Sequence, residues 1–379
     1  MGVKVQYQVI ESQQALDEFV AKISTAKVLA VDTEFMRRRT LYPEIALLQI
    51  FDGSHLALID PLIEMDFQSL WALFANTDIL KVLHSPSEDI EVFLKFAGFI
   101  PSPIFDTQFA LQLLGEGSCI GFANMVKQLS NVDIDKSESR TDWLRRPLTQ
   151  KQLDYAASDV FHLLPCFQQI LNQIEEKQLF SIVLKESELL AQKRSFRQPD
   201  PLLYLDIKNV WQLKPRDLAI LKELAAWRRA KAEKKNLALN FVLKEHNMVE
   251  IAKRRPSTLG SLRNVPGVEP MEVNRSGKEI LACIEKGKQI VEQDCPQRVK
   301  RLIDFKGYKA ACKEIKLIIT EVAKENQIPA DVFASKKQIN QVISWSWKKS
   351  EAEKKLLMKP DLALGWRAEL LEDRLKNWW

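Results

Sequence analysis

Asp32 and Glu34 stand two residues apart in the run Val-Asp-Thr-Glu-Phe at 31–35. In a strand, residues at that spacing face the same way, so the two carboxylates project together. Acids held so close resist ionisation unless a cation lies between them. Hard oxygen donors of this kind select Mg²⁺ or Mn²⁺. A bare D-x-E equally fits a strand that simply ends in solvated acids.

Two further acids join the pair. Asp89, in His84-Ser-Pro-Ser-Glu-Asp89, falls in the first turn of a helix that follows a strand. An acid there also suits the helix dipole. Tyr155 and Asp159 lie four apart in the run 149–159, TQKQLDYAASD. On a helix they share a face, where a phenol beside a carboxylate can orient a water molecule. Thr149 and Gln152 make a capping box that places the start of that helix.

The elements that must carry these residues follow from apolar runs. Strands are expected at Val28–Val31, Ile45–Phe51, His55–Asp60 and Lys81–His84, with a hairpin turn at Asp52-Gly53. Helices are expected at 87–97, 106–114, 121–130 and 150–177, with Ser85 as N-cap and Pro86 as the first helical residue of the first of them. Antiparallel strands followed by alternating strands and helices predict a mixed sheet with helices on its faces. After Phe196 strand patterns stop. Gln198–Pro201 reads as a linker, and the rest is rich in Leu, Ala, Lys and Glu at helical spacing. Leu224–Val242 and Ile315–Phe333 share a pattern of apolar-faced helix, charged end and short apolar segment, which predicts two copies of one helical unit.

Charge is divided unevenly. Residues 1–195 hold 18 Lys and Arg against 26 Asp and Glu, and residues 196–379 hold 37 against 24. The basic half suits a polyanion; the acidic half does so only if cations neutralise its carboxylates. The five cysteines are scattered and the four histidines form no cluster, which fits reduced thiols in a cytoplasmic protein. No apolar run is long enough for a membrane span, and MGVKVQYQVIESQQ reads as mature protein without a signal core.

Taken in this order, D-T-E at 32–34, Asp89 and Y-x-x-x-D at 155–159 resemble the three motifs of the DEDD exonuclease superfamily, tyrosine subclass. The segments YPEIALLQIFDG, SEDIEVFL, DKSESRTDWLRRPLT and YAASDV are similar to the ribonuclease D family. The helical tail resembles paired helicase-and-RNase-D C-terminal (HRDC) domains, less sharply in the second copy.

The resemblance implies an RNase H-like α/β domain over 1–195, then all-α HRDC-type domains over 208–290 and 298–379. It also implies a 3′→5′ exoribonuclease that releases 5′-mononucleotides and trims the 3′ ends of tRNA precursors. Asp32, Glu34, Asp89 and Asp159 would hold two Mg²⁺ or Mn²⁺ ions, and Tyr155 would position the attacking water. RNA is the implied partner, with no membrane, and the chain is expected to act as a monomer.

Arg37, with Arg38 and Arg39, could meet phosphates. Lys136, Arg140 and Trp143 could contact the substrate by charge and stacking, and Trp143 equally fits the core. His84 could brace the site, though it better fits a satisfied structural histidine. Arg228, Arg229, Lys231, Lys234, Lys235, Arg254 and Arg255 could contact RNA in the tail. Deleting residues 200–379 is expected to weaken binding of structured RNA more than hydrolysis of a short strand. A DNA exonuclease of the same superfamily and a non-catalytic nucleic-acid scaffold are the alternative readings.

Overall fold

The computed structural model describes residues 5–117 and 119–379; the first four residues of the expected 1–195 domain lie outside it. The α/β part runs β1 (Gln8–Ile10), α1 (Gln13–Ile23), β2 (Val28–Met36), β3 (Glu44–Phe51), β4 (Leu56–Ile59), α2 (Gln68–Ala75), β5 (Leu80–Leu83), α3 (Ser87–Phe96), β6 (Ile104–Asp106), α4 (Thr107–Leu114), α5 (Phe122–Ser130), α6 (Gln150–Glu176) and α7 (Phe180–Ser195). The helical part runs α8 (Pro215–Lys235), α9 (Leu239–Val242), α10 (Glu245–Arg254), α11 (Leu259–Arg263), α12 (Pro270–Gln289), α13 (Tyr308–Glu325), α14 (Ala330–Phe333), α15 (Lys336–Lys348), α16 (Glu351–Leu356) and α17 (Gly365–Leu375).

The sheet order is β1-β4-β3-β2-β5-β6. β2, β3 and β4 pair antiparallel; β1 lies parallel to β4, and β5 and β6 continue parallel from β2. β2 extends five residues beyond the expected Val31, because β3 pairs with it as far as Met36. Backbone pairing thus carries the polar D-T-E along as strand. One face of β2 and β3 (Ala30, Leu47, Phe51) packs against Ala156, Val160 and Leu163 of α6. The other (Leu29, Val31, Leu48, Ile50) packs against α1, α2 and α3.

The α3 start differs from expectation. Pro86 occupies the cap position and the Ser85 side chain makes no cap bond. Ser85 adopts φ 59°, and its N–H donates to Asp106 Oδ1 at 2.9 Å. That left-handed turn takes the hydroxyl away from the helix end and ties the start of α3 to the end of β6.

Among the described residues no strand follows β6. The expected linker is structured: a 3-10 turn over Asp200–Asp206 buries Leu203 and Tyr204 in the core of the first helical unit. The suspected duplication is visible as geometry. In each copy a long helix, α8 or α13, leads to a four-residue helix that buries its last residue, Val242 or Phe333. α10 and α15 then begin at the same offset of about 90 residues.

α17 lies on α7: Trp366 Nε1 donates to Glu186 at 2.7 Å, Arg367 pairs with Glu186, and Lys185 meets Glu369 at 2.7 Å. All five cysteines are free. Among the described residues no helix is long and apolar enough to cross a membrane.

Candidate active site

Asp32 and Glu34 leave β2 on the α6 side of the sheet, next to Ala30. The Thr149–Gln152 capping box is present and sets the phase of α6. Two turns beyond Gln152, α6 brings Asp159 over the strand. Carboxylate oxygens of Asp32, Glu34 and Asp159 lie within 4.8 Å of one another. Tyr155 lies one turn from Asp159 on the same face of α6 and lines the same cleft, with His84, Phe122 and Leu163.

The electrostatics follow from burial. Desolvation, then the nearby Asp89 and Asp159, push Asp32 well above the usual carboxylate range. Desolvation, then Asp32, does the same to Glu34. Burial raises Asp159 to about 8, against the opposing effect of the neighbouring Tyr155 hydroxyl. Burial and the surrounding carboxylates keep the Tyr155 phenol protonated far above neutrality. His84 supplies no compensating charge: burial lowers it to about 4, and its ring nitrogens engage Thr107 Oγ1 and the Ile120 carbonyl, each at 3.0 Å. The expected bracing histidine is therefore neutral and fixed on both sides. Three converging carboxylates, without a neighbouring cationic side chain among the described residues, fit a divalent metal.

Asp89 arrives from the opposite face of the sheet. Thr33 points away from Asp32 and Glu34, and its hydroxyl donates to Asp89 Oδ1 at 2.5 Å. Asp89 is buried, and desolvation raises it to about 6 while the Thr33 bond opposes the shift. Its charge still reaches Asp32 past the strand.

A β-bulge between Glu34 and Phe35 leaves Ala46 of β3 without a partner. Such bulges redirect a strand, here immediately after the second acid. The Ala46 carbonyl accepts from Arg146 Nη2 at 2.6 Å. Arg146 also grips buried Asp60 at 2.5 and 2.8 Å and the Trp143 carbonyl at 2.8 Å. The segment before α6 is thereby clamped to the sheet.

That clamp corrects one expectation. Trp143 is 1% exposed, with its ring 6.0 Å from Tyr155, so it backs the tyrosine from inside the core and cannot stack on a base. Lys136 and Arg140 are exposed near the 134–138 edge of a cleft that Tyr155 and Ser158 also line. Arg37 is engaged: its guanidinium meets Glu91 at 2.8 and 3.0 Å and the Leu41 carbonyl at 2.8 Å.

Several basic residues of the tail serve the helical unit itself. Arg228 is buried, Lys231 pairs with Glu279, Arg255 with Asp217, Arg254 with Glu250, and Arg229 with Glu233. Lys234 and Lys235 are exposed.

Sequence reasoning missed four residues at the site. Thr33 sits inside the first motif, where its hydroxyl was a readable signal. Phe122 and Leu163 line the cleft, but their apolar side chains announced only core. Gln49 is fully buried directly across the strand from Asp32, and among the described residues neither of its polar side-chain atoms has a partner. A glutamine in an otherwise apolar strand was its signal.

Comparison with known proteins agrees with this geometry. A 3′-5′ exonuclease family matches residues 7–175, the HRDC domain family matches 217–284, and the ribonuclease D C-terminal HRDC domain family matches 306–375. The chain is 42% identical to ribonuclease D of Escherichia coli K12 over 371 residues, covering 98% of both proteins. It is 36% identical to ribonuclease D of Haemophilus influenzae, covering 98% of this chain and 93% of that one. The crystal structure of E. coli RNase D, an exoribonuclease involved in structured RNA processing, superimposes with a TM-score of 0.91 at 41% identity, with 98% of each chain covered. The catalytic core of RRP6 from Trypanosoma brucei shares the fold at TM-score 0.60 and 21% identity, covering 76% of this chain and 83% of that one. The family depends on divalent metal, which the acidic cluster suits. Sequence, fold and cluster agree: the chain belongs to the ribonuclease D family and is a hydrolytic 3′→5′ exoribonuclease acting on RNA.

Proposed function

We propose that Asp32, Glu34, Asp89 and Asp159 hold two divalent cations, Mg²⁺ or Mn²⁺, and that the enzyme trims tRNA precursors to release 5′-mononucleotides. The observation that carries this is the convergence of Asp32, Glu34 and Asp159 within 4.8 Å, with Asp89 close enough to perturb Asp32. When bound, a pair of such ions supplies positive charge to the attacking and leaving oxygens of an in-line displacement. Asp32, Glu34 and Asp159 would hold the ion beside the attacking water, and Asp89 would serve the second ion.

Burial and the surrounding carboxylates raise the Tyr155 phenol, and Tyr155 would orient the attacking water by hydrogen bonding. Asp159 stands one turn from Tyr155 along α6, and Trp143 backs the tyrosine ring. Exposed Lys136 and Arg140 contribute positive charge toward the RNA, as does Arg37 from its partly exposed position beside Glu91.

The proposed division is a catalytic domain at 1–195 and two HRDC-type domains at 208–290 and 298–379. The enzyme acts as a cytoplasmic monomer; a dimer mass in light scattering would contradict that. The central test uses a 3′-extended tRNA precursor. The protein should release 5′-mononucleotides with Mg²⁺ or Mn²⁺ and stop with chelator. Asp159→Asn should abolish release while the chain stays folded, and unchanged activity in that variant would refute the site.

A further inference from the structure

Phe241 lies in α9 with 42% of its surface exposed, while its neighbour Val242 is 1% exposed and fills the core. The Arg39 guanidinium stands 5.7 Å from the centre of the Phe241 ring. Arg39 belongs to the catalytic domain, five residues beyond Glu34, so the chain places it at most about 18 Å from that carboxylate.

The two partners are locked in place. Ala238 N–H donates to the Arg39 carbonyl at 2.8 Å, and Tyr42 N–H donates to Asn236 Oδ1 at 3.2 Å. On the other side, Arg275 of α12 donates to the Phe241 carbonyl at 2.6 Å. Among the described residues, neither Arg39 nor Arg275 makes an ion pair, whereas Arg37 in the same loop is held by Glu91.

An aromatic ring serving as cement between domains would be buried at the junction. This one is 42% exposed, with the Arg39 guanidinium over its ring and Arg275 on its backbone carbonyl, and among the described residues neither arginine has a carboxylate partner. A flat apolar face flanked by free positive charge matches single-stranded RNA, with a base on the ring and phosphates on the arginines.

We propose that Phe241, Arg39 and Arg275 form a subsite for the single-stranded RNA that lies 5′ of the nucleotide being removed. Arg39 stands three residues past the end of β2, which places the subsite within a few nucleotides of that end. It spans the catalytic domain and the first helical unit, so docking of α8 and α9 on the 37–43 loop completes it. This inference rests on placing the catalytic centre at Asp32, Glu34 and Asp159.

The test compares a 12-nucleotide unstructured RNA with a diribonucleotide too short to reach the subsite. Stacking contributes about 1–3 kcal/mol per base, equivalent to roughly 5- to 150-fold. Phe241→Ala should raise KM for the 12-mer within that range and move KM for the diribonucleotide less than two-fold, and Phe241→Trp should restore the 12-mer. In an Asp159→Asn background, where binding is measured without hydrolysis, Arg39→Gln should reduce the salt slope of 12-mer binding by about 0.7. Equal KM changes for both substrates, or an unchanged 12-mer KM, would overturn the subsite. Failure of the catalytic assignment would show separately, as hydrolysis surviving in Asp159→Asn with Phe241 intact.

Discussion

The Thr33 hydroxyl donates to Asp89 Oδ1 at 2.5 Å, joining the strand that carries two of the acids to the helix that carries a third. Asp32 and Glu34 point to one face of the sheet and Thr33 to the other. The middle residue of D-T-E therefore reaches the acid that the outer two do not meet directly. Partners of this kind orient a ligand, and their loss costs about 10- to 100-fold in metal affinity or activity. Thr33→Val should weaken Mn²⁺ binding by about 10-fold, read by calorimetry, and lower kcat. Thr33→Ser should retain both. If Val and Ser variants bind Mn²⁺ equally, Thr33 does not position Asp89.

The raised carboxylates set a sign for pH dependence. An acid whose folded pKa lies above its unfolded value binds its proton more tightly when folded. Its contribution to stability is complete below the unfolded value of about 4. That contribution is lost as pH rises through the folded values, about 6 for Asp89 and about 8 for Asp159. The metal-free enzyme should lose thermal stability between pH 5 and 8, by about the amount these groups contribute. Added Mg²⁺ should restore it, with a Tm increment that grows with pH. A metal-induced increment that shrank from pH 5 to pH 8 would contradict the cluster as the metal site.

Arg146 gathers buried Asp60, the bulge carbonyl of Ala46 and the carbonyl of Trp143. Arg146→Ala leaves Asp60 buried without its partner, at a cost of about 3 kcal/mol. Denaturant unfolding should show that loss. Arg146→Lys should recover little, because a single ammonium cannot reproduce the fork. A loss below about 1 kcal/mol would mean that solvent reaches Asp60 and replaces the arginine.

The tail is not freely separable. Glu186 of α7 accepts from Trp366, pairs with buried Arg367, and shares its helix with Lys193, which meets Asp361 at 2.8 Å. Deleting residues 200–379 uncovers that surface, so the shortened chain should unfold at lower temperature and lose activity on short strands as well. Within the full chain, Glu186→Ala should cost about 2–3 kcal/mol by stranding Arg367, while kcat per folded molecule holds. Unchanged stability in both variants would restore the view of the tail as an independent recruiting module.

How much was legible depends on distance along the chain. Asp32 with Glu34, Thr149 with Gln152, and Tyr155 with Asp159 are local relationships. Strand period, capping geometry and helix period specify them before any tertiary contact forms, and each is present in the structure. Strands β2 to β5, helices α3 to α6 and the repeated helical unit were legible for the same reason, whereas β1, β6, α1, α2 and α7 were not anticipated.

What tertiary structure alone decided are pairings across long separations. Thr33 meets Asp89 56 residues away, Arg146 meets Asp60 86 residues away, and Asn236 meets Tyr42 194 residues away. The burial of Trp143 and the placement of Gln49 across from Asp32 belong with them. Sheet register and core packing select these partners from many chemically equivalent ones. A residue's type states what it can bond; only the folded chain states which partner stands within reach.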